Sequence, residues 1–157
     1  MKIVIIAVGK TSTAYVACGV EEFLKRANRY VPTELLVIPD IKSSKALSEE
    51  SQKQQEGRSI LAALQPGDIV TLLDERGKEL TSREFSAMIE RRMVQGIKRL
   101  VFVIGGPYGF SNEVYERADS KLSLSRMTFT HEMVRLFFTE QIYRAMTIMR
   151  GEPYHHD

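Results

Sequence analysis

The chain has 157 residues, 43% of them hydrophobic, with 22 Lys and Arg against 20 Asp and Glu. That length suits one compact domain with a real core, and the near-balance of charge excludes a protein held on nucleic acid by its overall field, so any RNA contact has to come from local patches. The single cysteine, Cys18, has no partner for an intramolecular disulfide. In a helical pattern it is expected to be a buried thiol, which fits a reducing, cytoplasmic compartment.

In chain order, Lys2 to Val8 is an apolar run too short to span a bilayer, and it meets Gly9-Lys10 at once. It reads as a first buried strand and not as a signal segment. After the loop Gly9 to Thr13, residues Val16, Val20, Phe23, Leu24 and Ala27 share one helical face, ending before Pro32. Glu34 to Ile38 makes a short strand stopped by Pro39-Asp40. Ser48 to Leu64 is helical but weakly patterned, apolar only near Ile60, Leu61 and Leu64. Pro66-Gly67-Asp68 turns into a third strand, Ile69 to Leu73, which runs into the loop Asp74 to Lys78. Thr81 and Glu84 have the capping-box spacing of a helix that turns Phe85, Met88, Ile89 and Met93 inward.

Leu100 to Ile104 is the most informative run. Five consecutive apolar residues without alternation indicate a strand covered on both faces, hence central in a parallel sheet. It opens directly into Gly105-Gly106-Pro107-Tyr108-Gly109, where glycines allow close approach of backbone to a ligand, at the strand end where open α/β sheets bind ligands. Ser111 is placed to cap a short helix through Ala118, and Lys121 to Ser125 forms a last strand. The final helix, about His131 to Met149, carries a stripe at 134, 137, 138, 141, 142, 145, 148 and 149, apolar except for Gln141. That stripe is wider than one sheet contact requires, so it serves either as core or as a dimer face. Alternating strands and helices indicate a parallel α/β fold.

Several familiar chemistries are excluded by spacing. A phosphate-binding P-loop ending at Gly9-Lys10-Thr11 would need a glycine at position 4, where Val4 sits in a strand. His131-Glu132 begins like a zinc-protease helix, but its second histidine would fall on Arg135. Gly105 to Gly109 lacks the spacing of a dinucleotide fingerprint. The tail His155-His156-Asp157 lacks the further ligands a structural zinc requires, so no metal is expected. What remains is three loops at strand ends: Leu73 to Lys78, Gly105 to Phe110 and Leu122 to His131. If they converge, Leu73, Leu124, Met127 and Phe129 would wall a dry slot for a flat heterocycle with a polar edge.

These blocks, with Met1-Lys2-Ile3, Ala7-Val8-Gly9-Lys10, Arg135, Glu140 to Ala145 and Pro153-Tyr154-His155, make the whole chain resemble the RlmH family. These are bacterial methyltransferases of the ribosomal large subunit, within the SPOUT superfamily. The resemblance implies a C-terminal trefoil knot, against the general rule of unknotted chains, and a homodimer. It implies methylation of N3 of a pseudouridine in 23S rRNA, with S-adenosylmethionine as methyl donor and with no part for membrane or DNA. A chain this small and weakly basic should need a preformed, shaped target, so it is expected to act on the assembled ribosome and not on naked RNA. By the same likeness Leu73, Gly105, Gly106, Leu124, Ser125, Arg126, Met127, Thr128 and Phe129 would hold the donor.

Methyl transfer from a sulfonium depends mainly on positioning, and an imide nitrogen must lose its proton to attack. A base, or cations that stabilise the anion, should therefore help. The candidate catalytic residues are His155, Tyr154 and Arg144, with His155 as the base or, alternatively, as a residue that grips RNA or a partner subunit. Arg135 and Arg144 are nine residues apart, half a turn out of phase, and are expected to do different jobs: an ion pair with a carboxylate such as Glu140, or contact with an RNA phosphate or an anionic base. His131 is expected to cap the last helix or orient the loop before it. The available phosphate contacts are Lys10, Lys42, Lys45, Arg91, Arg92, Lys98, Arg99 and Arg126. The family commonly ends with a basic residue after Pro-Tyr-His, where this chain has His156-Asp157. The competing expectation is a non-catalytic ribosome-binding factor that retains the fold.

Overall fold

A computed structural model describes residues 1–41 and 47–156, so the candidate contacts Lys42 and Lys45 lie outside the described residues. The elements alternate as β1 (Lys2–Val8), α1 (Ala14–Ala27), β2 (Thr33–Ile38), α2 (Glu49–Ala63), β3 (Ile69–Glu79), α3 (Ser82–Val94), β4 (Arg99–Ile104), α4 (Asn112–Arg117), β5 (Ser120–Ser123) and α5 (His131–Arg150). The five strands form one sheet in the order β2-β1-β4-β3-β5, and all four pairings are parallel. β4 is thus the middle strand, as its unbroken apolar run requires. Ile3 to Ala7 and Leu100 to Val103 are fully buried.

Helices cover both faces. On one, Phe102 of β4 meets Phe85 of α3 and Phe138 of α5, with ring centroids 4.7 to 5.9 Å apart. Ile89, Ile142 and Ala145 complete this side, where α1 also packs. On the other, Ile60 of α2, Phe110 in the loop before α4 and Val114 within α4 close over Val4, Ile6, Val70, Leu72, Val101 and Val103. Cys18 is exposed, against the expectation of a buried thiol. Two residues advance a helix by 200°, so position 18 lies opposite the buried stripe of Val16, Val20 and Ala27.

Helix starts show where local sequence decides and where tertiary contacts do. The capping box forms in both halves: Thr81 Oγ1 accepts from Glu84 N–H at 3.2 Å and Glu84 accepts from Thr81 N–H at 2.8 Å. Ser48 caps α2 by accepting from Ser51 N–H. Ser111 occupies the cap position of α4 without a capping bond; its hydroxyl is instead pressed against Gly57 of α2. The start of α5 is capped by Thr130, which accepts from Met133 N–H, and not by His131. α1 borrows its cap from α5, where Glu132 accepts from Ser12 Oγ, Ser12 N–H and Thr13 N–H at 2.7, 2.8 and 3.1 Å. Those donors, the Ser12 hydroxyl foremost, hold the Glu132 carboxyl down at about 2.

β3 runs past Leu73, where the apolar pattern ends. Leu122 of β5 pairs first with Leu73 and again with Lys78, so residues 74–77 form an excursion between two stretches of one strand. A Cβ on Gly77 would lie 2.5 Å from the Leu122 backbone, so only glycine lets β5 pass this close.

Candidate active site

β4, β3 and β5 are neighbours in a parallel sheet, so their carboxyl ends open on the same edge. The three loops expected to converge do so there. Leu73 to Arg76, Ile104 to Phe110 and Leu122 to His131 line one cleft of about 1190 Å³. All nine residues expected to hold a methyl donor are among its walls: Leu73, Gly105, Gly106, Leu124, Ser125, Arg126, Met127, Thr128 and Phe129. The volume exceeds that of an ordinary small-molecule pocket, and the cleft is open to solvent along one side.

The cleft is less dry than expected. Met127 is 75% exposed and Phe129, stacked on Phe137 at 5.0 Å, is 36% exposed. The serines serve the loop's own shape: Ser125 Oγ accepts from Met127 N–H and Ser123 donates to the Ser125 carbonyl. Arg126 extends into solvent with Glu79 at 3.4 Å, a pair that adds little stability.

Sequence reasoning missed two further walls. Ser48, Glu49, Glu50 and Lys53 of α2 close one side; the available signal was that the first half of this helix lacks an apolar face and so has surface free for another role. Asn112 and Tyr115 of α4 close another. The Tyr115 hydroxyl donates to Asp74 Oδ2 at 2.5 Å while Asp74 Oδ1 accepts from Arg76 N–H, which ties down the excursion in β3. Burial, then the bond to Asp74, pushes the Tyr115 phenol up to about 12. Behind Gly106 lies the carboxyl of Glu56: a Cβ at position 106 would fall 2.4 Å from its Oε2.

The candidate catalytic residues come together elsewhere. Arg144 donates to Glu140 Oε1 at 2.5 Å and stands 3.3 Å from His155 Nδ1; Tyr154 donates to the same Glu140 oxygen at 2.9 Å. The Arg144 guanidinium lies over the Tyr154 ring, 4.7 Å from its centroid. Burial and then the Glu140 bond raise the Tyr154 phenol above its ordinary value. Because a guanidinium only donates, Nδ1 of His155 is the acceptor in this contact.

This cluster is not at the cleft of its own chain. Arg144 lies thirteen residues beyond His131 on the unbroken helix α5, about 20 Å along its axis.

Arg135 does neither of the jobs considered for it. It is 1% exposed and donates to the carbonyls of Val8 and Gly9 at 2.6 and 2.7 Å and to Thr11 Oγ1 at 2.9 Å, fastening α5 to the end of β1. Arg99 is also removed from the candidate RNA contacts, because it is paired with buried Asp68. Among the described residues no group of three or more His, Cys, Asp or Glu could hold a metal ion. No described helix is long and apolar enough to cross a membrane.

Comparison with known proteins agrees with this geometry. A family profile described as a predicted SPOUT methyltransferase matches residues 1–155. The chain is 57% identical over 157 residues to the ribosomal RNA large subunit methyltransferase H of Parabacteroides distasonis, with all of both chains covered. It is 54% identical over 156 residues to the protein of the same name from Christiangramia forsetii, covering 99% of each. Among solved structures, a probable methyltransferase from Bordetella pertussis Tohama I has a TM-score of 0.59 at 12% identity, over 92% of this chain and 94% of that one, a likeness of fold. With the profile spanning nearly the whole sequence and full-length relatives above half identity, the chain belongs to the SPOUT methyltransferase family.

Proposed function

We propose that this protein transfers the methyl group of S-adenosylmethionine to N3 of a pseudouridine in 23S rRNA, acting in the cytoplasm as a homodimer on the assembled ribosome. The observation that carries this reading is the convergence of three adjacent strand ends on one cleft whose floor is the Gly105-Gly106 turn. The fit is favourable: the Gly105-Gly106 turn brings peptide groups to the cleft wall, and the loop from 124 to 129 supplies both apolar and polar contact. The full-length relatives named for ribosomal RNA methylation support the substrate class.

The donor brings its methyl on a sulfonium, a good leaving group needing no metal. The chain's part is to align the acceptor nitrogen with that methyl and to stabilise the negative charge of the deprotonated imide. Arg144 is the donor suited to that charge, with Glu140 and Tyr154 orienting it, and the imide proton leaves to His155, which stands beside Arg144, or to water. Since this cluster and the cleft stand about 20 Å apart along one helix, the cluster of a second copy would complete the site. Tyr15, Met127, Phe129 and Phe137, large and exposed apolar residues, favour such pairing. The close passage of β5 against Gly77 fits a threaded C-terminal segment, the trefoil knot.

The test is calorimetric titration with S-adenosylmethionine, followed by methylation of ribosomes and of deproteinised rRNA. Binding of the donor with methylation of intact ribosomes is expected. A protein that binds ribosomes but not the donor would be the non-catalytic factor instead, and equal activity on naked rRNA would remove the ribosome from the reading.

A further inference from the structure

Among the described residues, Glu56 is the one buried carboxyl that neither the fold nor the proposed chemistry uses. It is 4% exposed, on the face of α2 that turns toward the glycine turn. Its Oε1 accepts from Gln52 Nε2 at 3.0 Å, while Oε2 is buried without a hydrogen-bond partner. Both oxygens press on the Cα of Gly106, since a Cβ there would lie 2.4 Å from Oε2 and 3.0 Å from Oε1. Burial raises the carboxyl above its ordinary range, Asp40 adds to that rise, and the bond from Gln52 and the nearby His131 oppose it. Gly106 and His131 both line the cleft, as do Ser48, Glu49, Glu50 and Lys53 on the preceding turns of α2. Glu56 therefore stands immediately behind the cleft wall.

A carboxyl oxygen with no partner in the interior is a standing penalty on the fold, and native proteins carry few of them. An apolar side chain of the same length would fill this space without that penalty. Groups that break a local rule in this way concentrate where function requires them.

We propose that Glu56 is a positioning residue of the methyl-donor cleft, whose unpartnered oxygen is satisfied when the donor is bound, by a peptide N–H of the Gly105-Gly106 turn settling against it. The turn is then held in the donor-bound conformation by a carboxyl that the empty protein keeps buried at its own expense. The inference deepens the proposed function and rests on the donor occupying this cleft.

The experiment compares wild type, Glu56→Gln and Glu56→Met by thermal melting without ligand and by calorimetric titration with S-adenosylmethionine. Both substitutions keep the length of the side chain; Gln replaces one carboxyl oxygen with an amide nitrogen, and Met removes both oxygens and with them the bond from Gln52. The expected result is a melting temperature equal to or above that of wild type in the absence of donor, with a dissociation constant for the donor raised about tenfold, or about 1.4 kcal/mol. A merely structural Glu56 gives the reverse, a lowered melting temperature with donor affinity within about twofold of wild type, and that outcome overturns the proposal. Should either variant fail to fold, wild-type protein with 13C-labelled glutamate carboxyls and 15N-labelled glycine is titrated by NMR. The Glu56 carboxyl and a glycine amide of the turn are expected to shift together, and a carboxyl unmoved at saturation overturns the inference. Wild type that fails to bind the donor at all would defeat the reading of the cleft itself, an outcome separate from unchanged affinity in the variants.

Discussion

At the N-terminal end of α5 the candidate cleft is built from loops: the Gly105-Gly106 turn, a turn shaped by its own serines, and three strand ends that the parallel sheet brings to one edge. At the other end four side chains, Glu140, Arg144, Tyr154 and His155, hold one another in a small hydrogen-bonded cluster. Under the proposed function the first arrangement binds by the shape that these turns give the cleft. The second depends on the identity of each member, because its contacts run from side chain to side chain.

The largest expected effect separates the two ends by function. Arg144→Ala should lower turnover on ribosomes by about 10²–10³-fold, the range for loss of a donor to a developing anion, while donor affinity measured by calorimetry stays within about twofold. A large loss of donor affinity would break the contrast by making the tail part of the donor site. Next comes Gly77→Ala, which places a methyl group where the Leu122 backbone runs. About 1–3 kcal/mol of stability should be lost, as for other overpacked sites, and urea unfolding would show it. Tyr115→Phe removes the hydroxyl that holds Asp74, with an expected loss of about 1 kcal/mol and disappearance of the tyrosine that ionises near pH 12 in an absorbance titration.

The smallest effect concerns the ion-stabilised start of α1. The folded-state pKa of Glu132 is depressed from an ordinary 4.5 to about 2. Its contribution is thus fully present above about pH 4.5 and is lost as the pH falls toward 2. Stability of Glu132→Gln measured by urea melts should fall less steeply over that window than that of wild type. Parallel curves would show that the Ser12 and Thr13 contacts do not survive in solution.

The contrast also explains what could be read before folding. β1, β4 and the box at Thr81 and Glu84 depend on local pattern, and their positions follow from it. The cleft was legible because it depends on where strands end, and Gly105-Gly106 marks such an end. The walls from α2 and α4 were not, since Lys53 and Tyr115 reach the cleft only through tertiary placement. Arg135 shows the same limit from the other side. A helical arginine among apolar residues carries no mark that its partners will be two carbonyls more than a hundred positions away. The tail cluster became a site through resemblance, as no periodicity joins Glu140 to Tyr154.

The continuity of α5 sets a phase relation between its two ends. Each residue turns the helix by 100° and advances it 1.5 Å, so one residue inserted between Val134 and Glu140 would swing the tail group to a different azimuth while the loop before the helix stays in place. Four inserted residues would nearly restore the azimuth but push the group about 6 Å outward. The spacing between those positions is therefore a length and an angle at once, with little room for drift.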